Sequence, residues 1–384
     1  MRKPVVGQAY HDCHGAVHRR MVRRRTGGVL MSPPPGVIPD VQSDLLAHAA
    51  LNISSEQAAE LANDLFDVRG EVHRLNAEKD ANFRITPEGG PPVLLKITNA
   101  AEDRAVTEMQ TAALMHLAQV DPGLPVPHVL PARNGAPSQL VTLSDGREHV
   151  VRLLTFLQGT TLSSAKAASA LHFRIGALLA RLTIGLQGFS HPASDHVLLW
   201  DIKQAHRLRP MLDAVEETDL RQRLTRLIDQ FEDEVAPRLK DLRAQVVHND
   251  FNPHNLLVDT PAANCLTGVI DFGDIVRTPI VCDLAVACSY HVQDGPDPMA
   301  AVARLVAGYC SHLPLTEEEF ALLPDLMRLR HATTLVVGAW RARRYPENAA
   351  YIRRNAAASL RGLTALDRTG NPAVLASLHP EQIT

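Results

Sequence analysis

The sequence predicts an α+β fold in two lobes, a small antiparallel-sheet lobe followed by a larger, mainly helical one. Three observations lead there. At 384 residues the chain exceeds what one small core organises. Strand-like runs are gathered between Val68 and Leu157, and from Ala170 onward apolar residues recur at helical spacing. The expected division is residues 1–40 as a disordered basic tail, 41–157 as the smaller lobe, 158–370 as the larger, and 371–384 as a loose tail.

Each element has its own signal. Arg19, Arg20, Arg23, Arg24 and Arg25, then Pro33-Pro34-Pro35-Gly36, lack apolar periodicity and read as disordered. Met31, between the arginines and the prolines, is a candidate alternative start. No apolar central region of a secretory signal is present, and an organelle transit peptide is the competing reading. Ser54-Ser55-Glu56-Gln57 reads as a capping box opening a short helix through Ala58, Leu61, Leu65 and Phe66. Strands follow at Val68–Leu75, Asn82–Thr86 and, after the turn Glu88-Gly89-Gly90-Pro91, Val93–Ile97. Lys96 at the centre of that last apolar strand is costly to bury unless its ammonium meets a partner; the alternative is a lysine reaching out to water. A helix from about Glu102 to Gln119 turns Val106, Met109, Ala113, Leu114 and Leu117 inward.

A proline-rich connection, residues 124–138, leads to a hairpin, Gln139–Leu143 and His149–Leu157, turning at Ser144-Asp145-Gly146. The stretch Thr155-Phe156-Leu157-Gln158-Gly159 is expected to link the lobes. Leu171, Ile175, Leu178, Leu179, Leu182 and Leu186 then define a helical stripe, beside which His172 reads as a surface or packing residue. Further helices are expected from Trp200 through Met211 and from Thr218 to Leu239. Thr316-Glu317-Glu318-Glu319 is a second capping box, and the helix it opens is expected to run toward Trp340, Arg341 and Arg344. That arginine run also suits a helix C-terminus through the dipole alone.

The chemistry is concentrated between Val246 and Asp274. Apolar Val246-Val247 precede His248-Asn249-Asp250-Phe251-Asn252-Pro253-His254-Asn255, Leu256-Leu257-Val258 follow, and Val269-Ile270 deliver Asp271-Phe272-Gly273-Asp274. Carboxylates and an amide at the ends of buried strands are placed to hold a metal. Asp250, then Asn255 five residues on, then Asp271, match the needs of phosphoryl transfer: one carboxylate for the acceptor hydroxyl and two oxygen ligands for a divalent ion. Two other readings stay open on spacing alone. One is a polar turn with a satisfied core histidine; the other is a metallohydrolase with His248, Asp250, His254 and Asp271 all as ligands.

The pattern H-x-D-x-x-x-x-N followed by D-F-G resembles the catalytic and metal-binding loops of the kinase-like phosphotransferases. Asn249, in place of the arginine of protein kinases, is typical of the aminoglycoside phosphotransferase and choline kinase branch. Asp80-x-Asn82-Phe83, Leu95-Lys96-Ile97, Glu108-Met109-Gln110 and Ile270-Asp271-Phe272-Gly273-Asp274 narrow the likeness to the hydroxylysine-kinase-like group, over about residues 45–370. The resemblance implies a protein-kinase-like two-lobe fold and transfer of the γ-phosphate of ATP or GTP to the hydroxyl of an amine-bearing metabolite. It implies roles as well. Lys96 meets the nucleotide phosphates, with Glu108 as its partner and Gln110 as competitor. Asn82 belongs to the phosphate-covering segment Glu78–Phe83, Phe156 to the base-reading connection, and Asn255 and Asp271 to Mg²⁺. Asp250 aligns the acceptor; His248 and Asp283 support the loop, though Asp283 also suits a helix start by itself. Trp340 and Arg341 are expected against the acceptor. An aminoglycoside phosphotransferase, a homoserine, choline or ethanolamine kinase, and a non-catalytic nucleotide-binding module are the alternatives.

Composition limits the partners. A formal net charge of −3 gives no electrostatic case for nucleic acid or a membrane surface. Cys13, Cys265, Cys282, Cys288 and Cys310 are scattered and odd in number, which suits a reducing cytoplasm and neither a disulfide framework nor a structural zinc site. Small-molecule acceptor and nucleotide remain as the expected partners; the oligomeric state has no signal.

Overall fold

The computed structural model describes residues 51–77, 79–165, 170–259 and 265–379. The expected basic tail and Glu78 lie outside them. Helix α1 (Ser55–Phe66) opens with the capping box at Ser54 and Gln57 that the sequence announced. Strands β1 (Gly70–Leu75), β2 (Ala81–Pro87) and β3 (Val93–Ile97) follow, then α2 (Arg104–Val120), β4 (Val129–Leu130), β5 (Gln139–Thr142) and β6 (Glu148–Thr155). They form one antiparallel sheet in the order β1-β2-β3-β6, with β4 and β5 both pairing with β6.

Strict alternation gives this sheet two different faces. Phe83, Ile85, Leu95, Ile97, Val151 and Leu153 pack with Ala58, Ala62 and Phe66 of α1 in a core of their own. Asn82, Lys96 and Arg152 are direct neighbours across β2, β3 and β6, so they form a polar row on the opposite face. The inward residues of α2, Val106, Met109, Ala113, Leu114 and Leu117, belong to the larger core that fills the second lobe.

Beyond β7 (Thr160–Thr161) the chain is mainly helical: α3 (Leu171–Gly185), a 3₁₀ segment Ile202–Ala214, and α4 (Thr218–Gln230), which continues through a π turn to Leu239. Two short sheets, β7 with β9 (Leu256–Val258) and β10 (Leu266–Val269), and β8 (Ala244–Val247) with β11 (Val276–Pro279), carry the polar loops. Helices α5 (Ile280–Ser289), α6 (Ala300–Cys310), α7 (Glu317–Arg344), α8 (Ala356–Thr369) and α9 (Asn371–Leu378) close the lobe. The capping box at Thr316 and Glu319 starts α7 as expected, and α7 runs unbroken past Pro324. Helices α3 and α6 cross where Gly176 faces Leu305 and Gly308 faces Phe173; a β-carbon on either glycine would stand within 2 Å of a carbonyl oxygen. His172 is a packing residue, edge-on to His291 at 5.1 Å between ring centroids.

The expectation of a loose tail from Asn371 is corrected. Pro372 sits in the first turn of α9, and Val374 and Leu378, one turn apart, are buried in the main core. No helix among the described residues is long and apolar enough to cross a membrane.

Candidate active site

Strand β8 runs out of the core at Val247, and the polar loop begins on a backbone reversal. Asn249 has φ 61°, a left-handed conformation that asparagine tolerates better than most residues, and its side chain is fully buried. Its N–H donates to Asp283 Oδ1 at 2.8 Å, so the buried Asp283 on α5 braces the turn. Burial pushes the Asp283 carboxyl up to about 7, while the N–H groups of Asn249 and His248 favour its charge.

His248 is fully committed. Its Nε2 donates to the Ile270 carbonyl at 3.1 Å and its Nδ1 accepts the Asp250 N–H at 3.3 Å, which defines one neutral tautomer. Burial pulls its pKa down to about 4. With both ring nitrogens used it cannot be a metal ligand, and among the described residues no group of three or more His, Cys, Asp or Glu forms a metal cage. The four-ligand metallohydrolase arrangement is therefore absent from these residues.

Asp250 stands next, clamped on both oxygens. Asn255 Nδ2 donates to its Oδ2 at 2.8 Å and to its carbonyl at 3.0 Å. Arg330 Nη2 donates to Oδ1 at 3.0 Å. Burial, and after it the nearby Asp271 charge, raise the Asp250 carboxyl above the usual range, with Arg330 working the other way. Asp271 has φ 62° and accepts the Gly273 N–H at 3.2 Å, leaving it exposed at the end of β10. Asp274 is raised by burial and by the charges of Asp250 and Asp271. Asp250, Asp271 and Asp274 thus feel one another's charge beside the Asn255 amide; they form no three-ligand cage among the described residues, but the Asp271 carboxylate and the Asn255 amide oxygen are hard donors of the kind a divalent cation takes.

Across the cleft, Lys96 Nζ meets Asp80 Oδ2 at 3.0 Å. Burial opposes its charge, yet Asp80 and Asp271 hold its pKa above the ordinary lysine value. Asp80 is fixed in turn by the Asn99 N–H at 3.0 Å. The expectation that Glu108 partners Lys96 is corrected: Glu108 is exposed and pairs with Arg104 at 2.8 Å, one turn earlier on α2. Gln110 faces inward. It accepts from Arg152 Nη2 at 3.2 Å and donates through Nε2 to the Gly273 carbonyl at 3.2 Å.

Asn82 lies in the same row as Lys96, its Oδ1 buried with no hydrogen-bond partner among the described residues. Phe156 lies in the segment joining the lobes; its N–H is used by the Pro92 carbonyl at 3.2 Å, and its ring carries the Arg84 guanidinium 5.1 Å from the centroid. With its N–H used in this way, Phe156 keeps its ring and its carbonyl for a ligand. Gly159, at φ 150°, is enclosed: a β-carbon would meet Thr267 Oγ1 at 2.6 Å.

Trp340 and Arg341 follow Arg330 by ten and eleven residues on the same helix, roughly 15 Å along its axis, and the Arg344 guanidinium lies 5.7 Å from the Trp340 ring centroid. The arginine of this helix that reaches the catalytic loop is Arg330, and Trp200 packs on its guanidinium. The signal for Arg330 was a cation inside the apolar run Leu326, Met327, Leu329, Ala332 of a long helix.

Comparison with known proteins agrees with this geometry. Residues 71–323 match the phosphotransferase enzyme family (APH). The chain belongs to that family. This phosphotransferase is 30% identical to the hydroxylysine kinase of Xenopus laevis over 354 residues, covering 85% of this chain and 94% of the relative. Its fold is similar to that of the microcompartment-associated aminopropanol kinase, with a TM-score of 0.65 at 22% identity, over 83% of this chain and 99% of that one. It is also similar to an amicoumacin kinase in complex with AMP-PNP and Ca²⁺, with a TM-score of 0.63 at 17% identity, over 85% and 98% of the two chains. The two-lobe, protein-kinase-like architecture and the use of a nucleotide phosphate donor follow from this membership.

Proposed function

We propose that this phosphotransferase moves the γ-phosphate of ATP or GTP to the hydroxyl of a small amino alcohol, a hydroxylysine-like metabolite, in the reducing cytoplasm that the free cysteines among the described residues suit. The observation that carries the reading is the clamped Asp250 carboxylate, 2.8 Å from the Asn255 amide and facing Asp271 across the loop pair.

Asp250 accepts the hydrogen bond of the acceptor hydroxyl and points its oxygen at the γ-phosphorus. Lys96, steadied by Asp80, contacts the nucleotide phosphates from the smaller lobe. Asn255 and Asp271 are the residues to hold Mg²⁺. When bound, Mg²⁺ neutralises charge on the phosphate oxygens. His248 and Asp283 keep the loop in register. Most of the acceleration comes from alignment and charge neutralisation, because a loose phosphoryl transition state asks for little covalent help. Asn82 and Phe156 border the nucleotide.

An antibiotic kinase is the second reading, and the acceptor side argues against it. A polycation asks for an acidic wall, whereas the Arg354 charge is felt by His254 of the catalytic loop. A non-catalytic module is disfavoured because lysine, carboxylates and amide are all in place.

The test is a coupled nucleotide-consumption screen over hydroxylysine, homoserine, ethanolamine, choline and aminoglycosides, run with ATP and GTP, with Mg²⁺ and with chelator. Selective, Mg²⁺-dependent turnover with hydroxylysine is expected. Preference for an aminoglycoside, or no nucleotide consumption with any acceptor, overturns the proposal.

A further inference from the structure

The Asp250 carboxylate is gripped from a helix eighty residues further along the chain. Arg330 on α7 places Nη2 3.0 Å from Asp250 Oδ1 and 3.4 Å from the Tyr290 hydroxyl, and Nη1 3.0 Å from the Trp200 carbonyl. Its guanidinium carbon lies 5.3 Å from the centroid of the Trp200 ring and 5.9 Å from that of Tyr290. The Arg330 side chain is only 3% exposed, against 23% for Asp250.

A slot between two aromatic rings is filled more cheaply by an unbranched apolar side chain than by a guanidinium, which must shed its water. What arginine adds is direction. Its planar fork is fixed at one edge by the Trp200 carbonyl, so the hydrogen bond to Asp250 has a set angle that a flexible ammonium would not impose. Each carboxylate oxygen accepts about two hydrogen bonds. Asn255 takes one position on Oδ2 and Arg330 one on Oδ1, so the carboxylate plane cannot turn, and the remaining lone pairs keep one orientation.

Resting on the phosphotransfer reading above, we propose that Arg330 is a positioning residue for the reaction: it locks the plane of Asp250 so that the acceptor hydroxyl is held in line with the phosphorus. Trp200 and Tyr290 set the guanidinium, and the guanidinium sets the carboxylate. None of the three needs to touch substrate.

The experiment compares the full chain with Arg330→Met and Arg330→Lys, reading kcat, the KM of nucleotide and acceptor, nucleotide affinity by calorimetry, and the thermal midpoint. Arg330→Met is expected to lose about 100-fold in kcat, the scale of a misaligned reacting group, with nucleotide affinity and thermal midpoint close to the parent. Arg330→Lys restores charge without the fork and is expected to recover about tenfold of that loss. A parent that consumes no nucleotide with any acceptor overturns the underlying reading. With an active parent, Arg330→Met retaining kcat within threefold overturns the role of Arg330 alone. Equal losses of kcat and nucleotide affinity in the folded Arg330→Lys chain also overturn it, since they assign the residue to the fold.

Discussion

Gln110 on α2 donates to the carbonyl of Gly273 across 163 residues of sequence, and its own carbonyl oxygen accepts from Arg152. The sheet of the smaller lobe, the helix behind it and the loop bearing Asp271 are thereby joined through one amide. An amide is required there, because a carboxylate would satisfy Arg152 but could not donate to a carbonyl.

Gln110→Glu should therefore loosen the Asp271 loop and lower kcat about tenfold, the worth of roughly one hydrogen bond. Glu108→Ala should leave kcat within twofold, since its partner is the exposed Arg104. Steady-state kinetics on the two variants separates these neighbours.

Asp250→Ala should abolish measurable turnover while nucleotide affinity stays within a few-fold of the parent, because the groups assigned to the phosphates lie elsewhere. Calorimetric titration with a non-hydrolysable nucleotide, beside a turnover assay, reads both. Near-normal turnover would contradict the role given to this carboxylate.

His291 and His331 are buried, and burial pulls each imidazole down to about 3. Between pH 6.5 and about 3 the unfolded chain takes up protons that the folded chain refuses, so their contribution falls as the pH drops and is fully present above 6.5. Each histidine costs up to about 1.4 kcal/mol per pH unit in that window. The fall in urea midpoint from pH 7 to pH 5 should be smaller in His291→Gln than in the parent, which separates the histidine effect from opposing buried carboxyls such as Asp283.

Gly176→Ala should destabilise the larger lobe by about 3 kcal/mol, the upper range for overpacking, because the new methyl would sit 1.8 Å from the Leu305 carbonyl oxygen. Thermal melting measures this directly; an unchanged midpoint would mean that α3 and α6 separate at little cost.

What could be read from the sequence was local. The strands Val93–Ile97 and Gln139–Thr142, the two capping boxes, and the Asp250–Asn255 turn all depend on residues a few positions apart, where spacing alone dictates hydrogen bonding. Long-range choices were not encoded that way. Helical periodicity marked the inner face of α2 but could not say that Lys96 would prefer Asp80, two residues before its register neighbour Asn82, to an acid on the helix. Arg330 looked like one more cation in a basic helix, and only packing reveals that it meets Asp250. The final helix was readable after all: Pro372 followed by Val374 and Leu378 is a helix start with one buried stripe.

His248, Asn255, Asp283 and Arg330, which hold Asp250, all come from the helical half of the molecule. Any hinge motion about the Phe156–Gly159 connector displaces Lys96 and Asp80 together while the seat for the incoming alcohol travels as a unit. Apart from the tie that α2 makes through Gln110, donor grip and acceptor seat ride on different halves, so substitutions in the connector should alter how tightly nucleotide is retained before they blur the choice of alcohol.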